Sequence, residues 1–171
     1  DKENNSYNYI HSYPMNSEID VLLSFSSSKP QYRFTLASSK NMLHRYHISI
    51  SSLPNSEYRP RIADDRIGHF TTIFQDYSET LVEDPYTRYI QRWDLKKENP
   101  KEKISKPIKP IVFWIENTVP LQFRNAIKDG ILAWNTAFEA IGFQDAIVAK
   151  QMPDDADWDP ADVRYNTIRW L

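Results

Sequence analysis

The sequence predicts an α+β chain, with a β-rich front half followed by a strand, a long helix and further strands. Three observations predict it. Short apolar runs separated by Ser-rich turns fill the first half. Ile111 to Ile115 is apolar without alternation, as in a strand buried between layers. Phe123, Ile127, Ile131, Trp134, Phe138 and Ile141 then recur at steps of three and four, the stripe of an amphipathic helix.

The first twenty residues are polar and are expected to be partly irregular. Strands are expected at Val21 to Phe25, Tyr32 to Ala37 and His44 to Ser51. They are parted by Ser26-Ser27-Ser28-Lys29-Pro30 and Ser38-Ser39-Lys40-Asn41. Period two puts Tyr32, Phe34 and Leu36 on one face, and likewise Tyr46, Ile48 and Ile50. Phe70 to Tyr77 and Tyr89 to Leu95 continue the pattern beyond a polar loop from Leu53 to Asp65.

Lys96 to Pro110 is Lys-rich, carries Glu98 and Glu102, and has prolines at 100, 107 and 110. Mixed charge and proline favour a solvated linker over a nucleic-acid contact. The boundary is placed at 100–109, between a β-rich domain over 1–99 and a second region over 110–171. There Pro120 suits the first turn of the helix and Gly142 its left-handed C-terminal cap. A small-residue row, Ala126, Gly130, Ala133 and Ala137, is expected to let the helix lie close against a sheet. Phe143 to Ala149 reads as the next strand, so the unit favours a parallel crossover. Arg164 to Trp170 reads as a third strand.

Composition excludes several functions. A formal charge of −2 supplies no field to steer the chain toward nucleic acid or anionic lipid. The longest apolar stretch is Ile111 to Ile115, far short of a transmembrane segment. The absence of cysteine excludes disulfides and thiol chemistry. The polar start at Asp1 suits a mature or trimmed chain. Gly68, Gly130 and Gly142 are too scattered for a phosphate-cradling loop or a dinucleotide fingerprint.

Few residues carry recognisable chemistry. On a strand, His44 and His47 point to opposite faces and cannot readily chelate one ion. His69 has a structural or surface role as its default, and a zinc site built from His11, His44, His47 and His69 is disfavoured. The acidic run Asp154, Asp155, Asp157, Asp159 and Asp162 fails as an EF-hand. With Asp155 at position one, Pro160 stands where glycine is needed and Asn166 where glutamate is needed. A looser calcium site from these carboxylates is the alternative to a solvated acidic loop, and the loop is preferred. No Gly-x-Ser-x-Gly elbow occurs. Trp114, Trp134, Trp158 and Trp170 could line a groove, but the spacing of Trp114 and Trp134 is better explained as core. No catalytic, cofactor-binding or metal residue is therefore assigned.

From Pro110 onward the residues are more specific. Pro110-Ile111-Val112-Phe113-Trp114-Ile115-Glu116-Asn117, Pro120, Arg124-Asn125-Ala126-Ile127 and Gly130-Ile131 come in order. Trp134-Asn135, Ala137-Phe138-Glu139, Gly142-Phe143 and Asp145-Ala146-Ile147 follow. The run closes on Asp154-Asp155-Ala156-Asp157, Asp162-Val163-Arg164-Tyr165-Asn166 and Ile168-Arg169-Trp170. Together they resemble the opening of a metzincin-like peptidase domain, in large bacterial zinc-dependent metalloproteases whose N-terminal region is a domain of unknown function. In the front half Ser51-Ser52-Leu53-Pro54, Tyr58-Arg59-Pro60-Arg61, Asp65 to Phe70 and Tyr89-Ile90-Gln91-Arg92-Trp93 are similar to the segments before that peptidase. Coverage runs from about residue 46 onward.

The resemblance implies a truncated metzincin-like lobe over 110–171 and a secreted, periplasmic or cell-envelope parent. The family's His-Glu-x-x-His-x-x-Gly-x-x-His motif supplies three zinc ligands and a glutamate base, two of the histidines one helical turn apart. None of that motif lies in this chain, so no catalytic or metal residue carries over and the chain alone is expected to be inert. The helix around Trp134 would back the missing active-site helix. Zinc, the rest of the peptidase domain and a peptide substrate belong to the parent. Two rivals are a β-rich binding or chaperoning module, and an interaction domain of a degenerate, non-enzymatic homologue.

Overall fold

Regular alternation, even of polar residues, organises the start of the chain. The computed structural model describes residues 2–78 and 83–170. Strands β1 (Ser6–Ser12) and β2 (Asn16–Ser26) form an antiparallel hairpin with a bulge between Tyr7 and Tyr9. The Tyr13 amide closes it on the Asn16 carbonyl at 2.7 Å. Strand β3 (Asn41–Ser51) pairs with β2 along its whole length, from Asn16 opposite Ser51 to Ser26 opposite Asn41. The expectation of an irregular start is thus corrected. Ile19, Val21 and Leu23 alternate with Asn16, Glu18 and Asp20, and pairing on both sides of β2 satisfies the backbone.

The strand expected at Tyr32 to Ala37 is absent. Those residues sit in turns of the connection between β2 and β3, with Tyr32 and Phe34 more than four-fifths exposed. Flanking serines compete with strand pairing here, since Ser39 Oγ accepts from the Arg33 amide at 3.0 Å and Ser38 Oγ from the Asn41 amide at 3.2 Å.

Strands β4 (Thr71–Gln75) and β5 (Tyr86–Ile90) form a second antiparallel pair. The expected strand Tyr89 to Leu95 is therefore shifted toward the N-terminus. Ile90 lies opposite Thr71, the first residue of β4, and pairing continues only as far as the Gln91 amide on the Phe70 carbonyl at 2.8 Å.

The third sheet holds β6 (Ile111–Ile115), β7 (Ile147–Gln151) and β8 (Asn166–Ile168) in the order β7-β6-β8. β8 runs parallel to β6, Phe113 opposite Asn166 and Ile115 opposite Ile168. β7 runs parallel to β6 as well: Ile111 donates to Ala146 at one end, and Met152 donates to Ile115 at the other. The strand expected at Phe143 to Ala149 is shorter and later, and the one expected at Arg164 to Trp170 is confined to its middle three residues. Gly142 and Asp145 have positive φ, so the chain is still turning before Ile147.

Between β6 and β7 lie helices α1 (Leu121–Ala133) and α2 (Asn135–Ala140), the single helix of the sequence reading interrupted at Trp134. α2 ends in a Schellman cap: the Gly142 amide bonds the Glu139 carbonyl and the Phe143 amide bonds the Phe138 carbonyl, both at 2.9 Å. Gly142 takes φ +92°, the conformation expected of it. The small-residue row does not pack as expected. Ala126, Gly130, Ala133 and Ala137 are all exposed, and a Cβ on Gly130 would meet nothing within 4 Å. Trp134, expected in the core, is 63% exposed; the buried residue of α1 is Ile131.

The chain divides into two compact units, each assembled from separate stretches. One comprises Asp1–Leu53, Val112–Lys128 and Ala149–Leu171; the other comprises Pro54–Ile111 and Asp129–Val148. The second has an aliphatic core of Ile90, Ile111, Ile131, Ala146 and Ile147. The first buries Ile115 and Val119 together with five polar residues, Asn16, Glu18, Asp20, Glu116 and Asp162. Its interior therefore depends on hydrogen bonding as much as on apolar area.

Candidate functional site

The chemistry-bearing residues of the first unit converge on one face of the β1-β2-β3 sheet. Antiparallel register sets Tyr9 opposite Asp20 and His11 opposite Glu18 across β1 and β2. Asp20 faces His47, and Glu18 faces Ser49, across β2 and β3. Directly opposed residues share a face, so one side collects two carboxylates, two imidazoles, a guanidinium and hydroxyls.

The carboxylates are inside and saturated. Glu18, 3% exposed, accepts from Ser49 Oγ at 2.6 Å and Asn16 Nδ2 at 2.5 Å on one oxygen, while its other oxygen meets His47 Nε2 at 2.7 Å. Asp20, 4% exposed, accepts from Arg45 Nε at 2.9 and 2.7 Å and from Arg45 Nη2 at 2.5 Å. The Ser49 hydrogen bond, helped by Asn16 and His47, holds the Glu18 carboxyl below its usual range against the opposing effect of burial. Arg45 does the same for Asp20. Beside them Tyr9 and His11 stack with ring centroids 5.9 Å apart, and His11 meets Tyr13 at 4.4 Å. Burial first, then Tyr9 and Asp159, pushes the Tyr13 hydroxyl above its usual range.

This geometry also decides what the cluster does chemically. Ser49 spends its hydroxyl on Glu18, so it is not poised as a nucleophile. The Glu18 bond orients the half-exposed His47 ring. The arrangement is a hydrogen-bonded brace with the imidazoles of His11 and His47 open to solvent.

The brace extends to a distant stretch of chain. Asn16 Nδ2 donates to the Ala161 carbonyl at 2.9 Å, and Asn16 Oδ1 accepts from the Val163 amide at 3.1 Å. Between these two residues Asp162, 1% exposed, is gripped by the Arg164 guanidinium at 2.6 Å, which lowers its pKa. Trp158 stacks on Tyr165 at 4.0 Å and 6°, and both rings meet Trp114 edge-on at 5.4 and 6.3 Å. Lys150 lies over Trp114 at 5.2 Å.

The histidines are dispersed. His44 is on the opposite face from His47, against Phe25 and Tyr46, as their odd spacing predicts. His69 is exposed just before β4. Asp154, Asp155 and Asp157 are exposed, and Asp159 and Asp162 are engaged with their own turn. Among the described residues no three His, Asp or Glu side chains are grouped as metal ligands would be. They do not fit a zinc centre. Trp114 and Trp158 form one half-buried cluster, whereas Trp170 stacks on Phe123 at 5.1 Å.

Sequence reasoning missed the Asn16–Glu18–Asp20 brace. The available signal was parity: Asn16, Glu18 and Asp20 alternate at the start of β2, and Arg45, His47 and Ser49 alternate toward the end of β3. Among the described residues no helix is long and apolar enough to cross a membrane.

A family model described as a domain of unknown function, DUF5117, matches residues 1–98, the stretch that supplies all three strands of the braced sheet. No curated protein and no solved structure matches the chain. Because the match spans more than half of the 171 residues, the chain belongs to the DUF5117 family.

Proposed function

We propose that this chain is the front part of an exported zinc-dependent metallopeptidase, a family module followed by the first half of a metzincin-like lobe, and that it is inert alone. The observation that carries this reading is the parallel sheet β7-β6-β8, with α1 and α2 connecting β6 to β7. In that order β8 adds on the far side of β6 from β7, and its outer edge is where further strands of a larger lobe would join. The apolar stripe of the helices supports the same reading: Trp134 and Ile141 are 63% and 67% exposed, and an additional helix would cover them. The metal, the general base and the peptide-binding groups would all come from residues after Leu171.

Sequencing the gene beyond the codon for Leu171 tests the proposal. A His-Glu-x-x-His motif is expected within roughly 100–150 residues, since its helix must pack on this sheet. The longer protein should then retain one equivalent of zinc and cleave casein. A long open extension without that motif would sink the reading. The rival, a non-catalytic interaction module, draws on the other face of the first sheet. There Ile10, Tyr46, Ile48 and Phe25 are 44–60% exposed in the register rows Ile10-Ile19-Ile48, Val21-Tyr46 and Phe25-Met42.

A further inference from the structure

We infer that the hairpin of the family region is an internal clamp, in which Asn16 sets the conformation of the 159–165 loop and thereby the seat of β8. The side chain of Asn16 pairs with that loop as a backbone strand would, giving to Ala161 and taking from Val163, residues 145 and 147 positions away. It is 4% exposed, so water does not compete for those bonds. Asn16 is itself held by Glu18, and Glu18 by Ser49 and His47 of β3, so the aim of the amide is set by the sheet.

The loop transmits that position onward. The Asp162 carbonyl accepts from the Tyr165 amide at 3.1 Å, Tyr165 stacks on Trp158, and Asn166 Nδ2 bonds the Val112 carbonyl at 3.0 Å where β8 begins against β6. Tyr13, from the same hairpin turn, interacts with Asp159 at the start of the loop. Asn16 alone thus holds two points, Ala161 and Val163, of a loop that lacks strand or helix of its own. The role assigned to this part of the family region is to position the strand that follows, without any bound ligand.

Native-state hydrogen exchange on the whole chain tests the clamp. Asn16→Ala should raise exchange at the Val163 amide about tenfold or more, because that amide loses its acceptor. It should also weaken the near-UV circular dichroism of the Trp114–Trp158–Tyr165 cluster. Asn41→Ala, at the far end of the β2–β3 register, should change neither. A folded Asn16→Ala chain with unaltered Val163 exchange and aromatic dichroism would overturn the inference. Should Asn16→Ala fail to fold, the unaltered chain decides by its urea dependence. The clamp requires Val163 and Ile19 to lose protection together; Val163 opening first, in a separate step, would overturn it. These readouts do not involve peptidase activity, so a gene lacking a zinc motif leaves the clamp standing.

Discussion

Replacing Gly142 by alanine should destabilise the second unit more than its small size suggests. Gly142 sits at φ +92° in the Schellman cap, a conformation costing an L-residue about 1–2 kcal/mol. A Cβ there would lie 2.7 Å from the Lys103 carbonyl oxygen and 2.8 Å from Lys97 Nζ. Lys97 could swing away, but it would abandon its bonds to the carbonyls of Glu102 and Lys103. The Lys103 carbonyl is backbone, in a loop tied to the cap by the Ser105 amide on Gly142 and the Gln144 amide on Ser105. Relieving that clash adds about 1–2 kcal/mol, for a total of about 2–4 kcal/mol. In a chain of 171 residues this corresponds to a fall of about 5–12 °C in calorimetric Tm. Gly130→Ala is the matched control: its Cβ meets nothing and its site is helical, so a gain of about 0.5–1 kcal/mol is expected. Opposite signs at the two glycines are the signature sought. A Gly142→Ala chain melting within about 1 °C of the parent would refute the steric argument.

Three further outcomes follow from the same geometry. Asn135 spans the backbone of buried Ile147, donating to its carbonyl and accepting from its amide at 3.0 Å each, so Asn135→Ala should cost about 2–3 kcal/mol in urea unfolding; an unchanged midpoint would count against it. Glu18, Asp20 and Asp162 have pKa values lowered by Ser49, Arg45 and Arg164 respectively, so each contributes stability that is full above its unfolded value, 4.5 or 3.8, and is lost as pH falls through its folded value. Urea midpoints should therefore be flat near neutrality and drop below about pH 4.5, less steeply for Glu18→Gln; an equal slope in that variant would remove Glu18 from the explanation. Trp158→Ala should abolish the near-UV exciton band of its stack with Tyr165 and cost about 2 kcal/mol, and a retained band would place the signal elsewhere.

How much could be read beforehand depended on whether a segment's partners were local. The helix announced itself because its apolar spacing, proline entry and glycine exit all lie within Pro120 to Gly142, and the Schellman cap formed there. Ile111 to Ile115 was legible because a fully apolar run has few places to go except between layers. Tyr32 to Ala37 has an equally good alternation and no strand, because no strand among the described residues pairs with it and the Ser39 hydroxyl takes the Arg33 amide. The brace was hidden for the converse reason. Nothing in Asn16, Glu18 and Asp20 as letters says that this polar side of β2 would be buried while Ile10, Ile48 and Ile50 stayed open.

The sequence alone determined the α+β class, the strand–helix–strand order after Pro110 and the glycine that ends the helix, since each rests on periodicity or on one residue's backbone freedom. Tertiary structure alone decided which face of β2 went inside, which tryptophans met, and that Asn16 would reach Ala161 and Val163. Those outcomes turn on hydrogen-bond satisfaction between residues far apart in the chain, and a buried carboxylate is tolerated only once donors from other strands have arrived.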